Sequence, residues 1–205
     1  MRHPGPRTVV AVAAAALAAV PGALAAPSPT GLLLGKADVP GAPYQRTQTL
    51  RPSQLKPEVL GRTISYGARS AAYRVAGSSS CAARYFTTDT PSGEKQAFSY
   101  VCVTGSAADA KVLAKAFVGK KREFLKQPKV CQSVSPGIGQ SSGIFRWCPY
   151  KAGTSFWSTS FLAIWSSGPV VAVYGHEYPE LEKRPGLNDV LPGLRRLDAR
   201  IKAAT

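Results

Sequence analysis

The stretch QAFSYVCVTGSAADAKVLAKAF, Gln96 to Phe117, contains the change of hydrophobic period on which the fold turns. Its first half, QAFSYVCV, is aromatic and β-branched and ends at a sharp polar boundary, the pattern of a strand. At that boundary Ser106-Ala107-Ala108-Asp109 has the S-x-x-[DE] form of a capping box, which opens a helix. At 100° per residue, Val112, Leu113, Ala116, Phe117 and Phe124 share one side and Lys111, Lys115, Arg122 and Lys126 another. A strand that runs through a cap into a one-sided helix predicts a helix lying on a sheet. Gly119 and Pro128 place the end of that helix between them. The basic row is either a contact surface for an anionic partner or a solvated outer face, and charge rows on exposed helix faces are ordinary.

Toward the C-terminus the chain returns to strands after Cys131. SFWSTSFLAIW and PVVAVYGH are separated by Ser166-Ser167-Gly168, which predicts a hairpin of about five residues per arm. Its apolar residues do not alternate strictly, so both faces should be partly covered. The tail LNDVLPGLRRLDARIKAA has Leu194, Leu197 and Ile201 at helical spacing, with Asn188 or Asp189 as the expected cap. Toward the N-terminus, SAAYRV and CAARYFTT read as strands, and TTDTPSGEK as the turn before QAFSYVCV. Strands, helix, strands, helix make an α+β domain over residues 64–205: an antiparallel sheet with a central amphipathic helix and a C-terminal helix packed on it.

Residues 26–63 are proline-rich, with few apolar residues after Leu34, and read as an irregular, partly disordered arm. Residues 1–25 carry Arg2 and Arg7, a short apolar run from Val9 to Val20, the Pro21-Gly22 break and then Ala23-Leu24-Ala25. Those are the regions of an export signal cleaved after Ala25 or Ala26, and the run is too short to span a membrane. The expected location is secreted or extracytoplasmic, with no transmembrane anchor after cleavage.

Four cysteines in an exported chain predict two disulfides. Cys81 and Cys102 lie symmetrically about Pro91-Ser92, and Cys131 and Cys148 flank Gly139, so the local pairs Cys81–Cys102 and Cys131–Cys148 are expected. No C-x-x-C pair occurs, which argues against a metal site. Removing Arg2 and Arg7 with the leader leaves 24 basic residues against 11 acidic ones, a formal charge of +13. That charge favours anionic partners such as wall polymers or phospholipid head groups. Nucleic acid would meet the same electrostatics, but no nucleic-acid-binding motif is present and the export signal argues against it.

Gly139-Gln140-Ser141-Ser142-Gly143 spells the G-x-S-x-G of a nucleophile elbow. That motif needs a helix after it and an acid before the histidine. Ser141 is followed by IFRWC, a strand, and no Asp or Glu lies between Ser141 and His176. A tight turn is the expected reading, with a secreted serine hydrolase using Ser141 and His176 as the alternative. His176 heads YGHEYPELEK, which fails H-E-x-x-H because position 180 is Glu, and reads as an exposed acidic loop. No catalytic residue, metal or cofactor is expected. Phe145, Trp147, Tyr150, Phe156, Trp157, Phe161 and Trp165 make an aromatic cluster, most of it core. Trp147, Tyr150 and Trp157, beside the Cys131–Cys148 pair and a KAGT loop, are the candidates for ligand contact.

LLLGKADVPG, QAFSYVCVTGSAADAKVLAKAF, SPGIGQSSG, FLAIWSSGPVVAVYGH and LPGLRRLDARIKAA together resemble small exported proteins of actinobacteria. These are similar in turn to the extracytoplasmic sensor domains of receptor serine/threonine kinases. The resemblance covers most of residues 31–203. In related sequences the turn often reads GIGD, and Gln140 stands here where the acid would be. The resemblance implies an α+β domain with a cleft, two disulfides and a binding or sensing role without catalysis. A protein-interaction or inhibitor module acting through the proline-rich arm is a further alternative. The leader reading predicts that protein recovered outside the cell begins at residue 26 or 27 on N-terminal sequencing; recovery with Met1 intact would overturn it.

Overall fold

The structure is a computed structural model that describes residues 26–39, 44–54, 69–121, 132–134, 138, 143–147, 157–179 and 186–205. The capping-box stretch folds as read. Strand β3 (Gly93–Val103) leads into the cap, where Asp109 N–H donates to Ser106 Oγ at 3.1 Å and the Ser106 hydroxyl donates to Asp109 Oδ2 at 2.8 Å. Helix α3 (Ala107–Lys121) follows. The turn at Pro91-Ser92 joins β3 to β2 (Ser80–Thr90) in a long hairpin, with Gly93 at φ 128°. A second hairpin pairs β6 (Trp157–Ser167) with β7 (Val170–Pro179) around Gly168, whose φ of 51° suits the turn. Its arms are 11 and 10 residues long, about twice the expected length.

The two hairpins join through β3 and β7, from Gln96↔Glu177 to Val103↔Val170. Outside them lie β1 (Arg46–Leu50), β4 (Gln132–Ser133) and β5 (Gly143–Trp147). Among the described residues these form one seven-stranded sheet, ordered β1-β2-β3-β7-β6-β5-β4, antiparallel throughout. Helices α1 (Pro29–Leu32), α2 (Arg69–Ser78) and α4 (Leu187–Ala204) complete the framework.

Side-chain alternation divides the core in two. On one face Phe86, Val101, Phe161, Trp165 and Tyr174 lie under Leu32, Leu33 and Leu34 and under Val190, Leu194, Leu197 and Ile201 of α4. On the other, Phe98, Leu162, Ile164, Val171 and Val173 lie under Ala72, Val75 and Ala76 of α2 and Leu113, Ala116 and Phe117 of α3. Each fully buried Leu or Ile here contributes roughly 1.5–3 kcal/mol. Burial on both faces explains why β6 and β7 lack clean alternation. The two helices expected on the sheet therefore sit on opposite sides of it.

Three expectations are corrected. SAAYRV is helix, not strand: Ala72, Val75 and Ala76 recur at helical spacing and are buried while Tyr73 is exposed, so the short apolar run has the helical period. The domain does not begin at residue 64, because Leu32, Leu33, Leu34, Val39 and Tyr44 are core residues and β1 pairs with β2 from Arg46↔Thr87 to Leu50↔Ala83. Arginines from other elements hold this N-terminal segment: Arg84 Nη1 donates to Leu34 O (2.6 Å), Arg200 Nη1 to Leu33 O (2.8 Å) and Arg196 Nη1 to Ala37 O (3.1 Å). Arg200 also pairs with Asp38 at 2.5 Å. Finally, Gly186 is the N-cap of α4, and Asp189 acts from the third helical position by accepting the Gly186 N–H at 2.8 Å.

The Cys81–Cys102 disulfide forms as expected between directly paired residues of β2 and β3, and closing a separation of 21 residues contributes about 3 kcal/mol. The Cys131–Cys148 pair lies outside the described residues. Gly175 of β7 is the tightest point of the sheet, because the ring of its partner Phe98 lies across it: an added Cβ would stand 2.9 Å from Phe98 Cε1 and closer still to Cζ. Gly175→Ala is therefore expected to lower unfolding stability by about 1–3 kcal/mol, read from the urea midpoint.

Candidate functional site

Strands β1, β2 and β3 carry polar side chains on the same face that α2 and α3 cover elsewhere. Arg46, Thr87 and Gln96 align in register, and Gln48, Tyr85 and Phe98 align in the next row. Together with Thr47, Leu50 and Glu94 most of these residues line an open cleft of about 750 Å³. No helical residue is among its described lining. Tyr85, in the lining, belongs to an aromatic cluster: Tyr85 and Tyr100 meet edge to face at 5.6 Å, Phe98 and Tyr100 at 5.5 Å, and the Tyr85 and Tyr100 hydroxyls bond each other. Loss of water around the two phenols raises both of their pKa values, and the nearby Glu177 carboxylate pushes the same way, so both stay protonated and able to donate.

At the rim, Arg46 Nη2 donates to Asp89 Oδ1 at 2.6 Å and to Glu94 Oε2 at 2.5 Å. Asp89 and Glu94 face each other across the β2–β3 hairpin, and Arg46 reaches them from the neighbouring strand. The guanidinium is therefore committed to two carboxylates. Its exposure keeps the pairs weak in energy, but they fix where the charges sit.

His176 occupies a different place from the one expected. It is not in an exposed acidic loop but inside β7, 1% exposed, on the face covered by α1 and α4. The sequence hid this because the acids that follow it dominate the local composition, while its own place in the strand alternation points inward. Tyr174 Oη lies 2.7 Å from its Nε2 and Tyr44 Oη 3.3 Å from its Nδ1. The Tyr178 ring stacks on the imidazole with centroids 6.4 Å apart. Burial pulls the His176 pKa down from 6.5 to about 3, so the ring is neutral. Burial likewise raises the pKa values of Tyr44 and Tyr174. Glu177, the next residue, points to the cleft face and is half-buried, while Glu180 and Glu182 lie outside the described residues.

The other expected residues scatter. Lys111 and Lys115 are exposed on α3, and Arg122 and Lys126 lie outside the described residues. Trp147 is the last residue of β5, paired with Phe161, and Trp157 the first of β6, paired with Pro179. Both are separated from the cleft by the central strands, and neither belongs to its described lining; Tyr150 and Ser141 lie outside the described residues. Among the described residues no group of three or more His, Cys, Asp or Glu side chains could hold a metal ion. The reading from sequence missed Arg46, Gln48, Tyr85, Thr87, Glu94 and Gln96. The usable signal is RTQTL, a polar β-forming alternation within the proline-rich stretch.

No family model matches the chain, and no curated protein matches it. The chain is similar to the extracellular domain of PknH from Mycobacterium tuberculosis, at 11% identity over 84% of this chain and 94% of that one, with a TM-score of 0.45. No described helix is long and apolar enough to cross a membrane.

The buried imidazole has a measurable consequence. Between pH 6.5 and about 3 the unfolded chain binds a proton at His176 that the folded chain refuses, so stability falls as pH falls through this window and is fully present above it. The slope from this one group reaches at most about 1.4 kcal/mol per pH unit. His176→Gln, which cannot titrate, is expected to flatten the dependence between pH 6.5 and 5, measured by urea denaturation; an unchanged slope would contradict the assignment.

Proposed function

We infer that this chain is an exported, non-enzymatic, sensor-like binding domain acting at the cell envelope or outside the cell, and that its ligand enters the β1–β2–β3 cleft. One observation carries the reading: a cavity large enough for a small ligand opens on a sheet face that is apolar core elsewhere, and its polar lining comes from three paired strands. Lining residues fixed by strand pairing are pre-organised, so little ordering entropy is lost on binding. Amides and hydroxyls supply directional contacts, and Tyr85 and Leu50 supply apolar area.

The hydrolase alternative is disfavoured by the state of His176. A general base works best with a pKa near the operating pH, and an imidazole held near 3 has little affinity for a serine proton. Each of its ring nitrogens already faces a tyrosine hydroxyl. The exposed lysines of α3 contribute long-range attraction to anionic envelope material, a role separate from the cleft. Trp147, Tyr150 and Trp157 stand as a second contact region only if ligand reaches the opposite edge of the sheet.

Two measurements on the mature chain test this. A fluorophosphonate probe is expected to leave it unlabelled, and labelling that disappears in Ser141→Ala would establish the hydrolase instead. Titrating an isotope-labelled sample with a solubilised envelope digest is expected to shift backbone resonances of Arg46, Gln48, Thr87 and Gln96. Shifts confined to Trp147 and Trp157 would move the site to the other edge.

A further inference from the structure

The chain as a whole is strongly basic, yet the cleft is not. Of the charged side chains in its described lining, Arg46 is positive and Glu94 negative, and Arg46 is already bonded to Asp89 and Glu94. Glu177 lies one strand further along the row of Arg46, Thr87 and Gln96, close enough to act electrostatically on Tyr85 and Tyr100. Two carboxylates thus hold the one guanidinium of the cleft, with a third, Glu177, two strands beyond Thr87, in a protein whose basic residues outnumber its acidic ones by more than two to one. An anionic ligand would have to displace the carboxylates from Arg46 and then sit beside them. The general attraction of the chain for polyanions therefore does not extend to this cavity.

The uncharged lining narrows the chemistry further. Gln48 and Gln96 each offer an amide that both donates and accepts, and Thr87 adds a hydroxyl that does the same. Three such groups beside carboxylate acceptors match a ligand dense in hydroxyls, which also both donate and accept. Tyr85 and Leu50 give the apolar surface against which the C–H face of a sugar ring packs. A purely apolar ligand would leave those amides and hydroxyls desolvated without partners, at a cost.

We propose that the cleft binds a saccharide segment that carries no negative charge, with a protonated amine on the sugar preferred over a neutral substituent because Glu94 lines the cleft and Asp89 stands opposite it at the rim. This rests on the cleft being the binding site and specifies what it takes. The amides of Gln48 and Gln96 hold ring hydroxyls, and the carboxylates accept hydroxyl or ammonium protons.

The test titrates the full mature chain with three pentasaccharides by calorimetry and resonance shifts: β-1,4-glucosamine, its fully N-acetylated form, and anionic oligogalacturonate. The glucosamine and N-acetylated oligomers are expected to bind with shifts at Gln48, Thr87 and Gln96. Gln96→Ala should weaken both about fivefold, the loss of one net hydrogen bond. Glu94→Gln should remove about a two- to fivefold preference for the amine form while leaving the N-acetylated form within about twofold. The oligogalacturonate is expected to give shifts, if any, on α3 and none in the cleft. Tighter cleft binding by the anionic oligomer, or no cleft shift with any of the three, would overturn the proposal. If the envelope digest still shifts cleft residues while all three saccharides fail, the saccharide assignment falls and the binding site stands. If neither digest nor saccharide reaches the cleft, both fall.

Discussion

The pairing of β3 with β7 is the constraint on which the rest of the molecule depends. Each strand belongs to a hairpin that forms locally, but eight register pairs join residues about 70 positions apart and turn two hairpins into one sheet. Closing such a loop costs entropy that only burial can offset. The central strands are accordingly covered on both faces, by α4 and the N-terminal leucines on one side and by α2 and α3 on the other. Gly175 lets the pair close, since the Phe98 ring of the partner strand occupies the space its side chain would need.

Two-sided burial explains both the polar interior and the reach of the N-terminal segment. A strand that continues its alternation through Tyr174, His176 and Tyr178 must put three polar-tipped rings into the core. Those rings interact with one another and with Tyr44, which comes from the segment before β1. The same segment is held by side chains of Arg84, Arg196 and Arg200, each donating to a backbone carbonyl that would otherwise lack a strand or helix partner. Charge that looks like surface decoration in the linear sequence thus closes one side of the core. Ser99 is left as the one buried side-chain polar atom without a hydrogen-bond partner among the described residues.

The cleft is the complement of this packing. Toward one end of β1, β2 and β3 no described helical residue lines the cleft, and the sequence there turns from Ala, Val and Phe to Thr, Gln, Glu and Arg. Local electrostatics differ in sign from the whole because strand register brings Asp89 and Glu94 to Arg46, with Glu177 further along the same row, whereas most of the lysines and arginines lie elsewhere. Net charge describes how the molecule meets a distant polyelectrolyte; it does not describe what a pocket a few ångströms across accepts.

By itself the sequence determined the local structure. The cap at Ser106, the turns at Pro91-Ser92 and Gly168, the Cys81–Cys102 pairing and the α4 stripe of Leu194, Leu197 and Ile201 were legible because each rests on residues within one turn of helix or one hairpin. SAAYRV is not legible in this way, because six residues are too few to separate a period of 3.6 from a period of 2. Only the tertiary structure decided that α3 and α4 take opposite faces, that residues 32–34, 39 and 44 join the core and 46–50 the sheet, that His176 is buried, and that Arg46, Tyr85, Thr87, Glu94 and Gln96 face one cavity. Those outcomes depend on which strand lies beside which, and that is set by burying two apolar faces at once, a cooperative balance over the whole chain that no short window of residues contains.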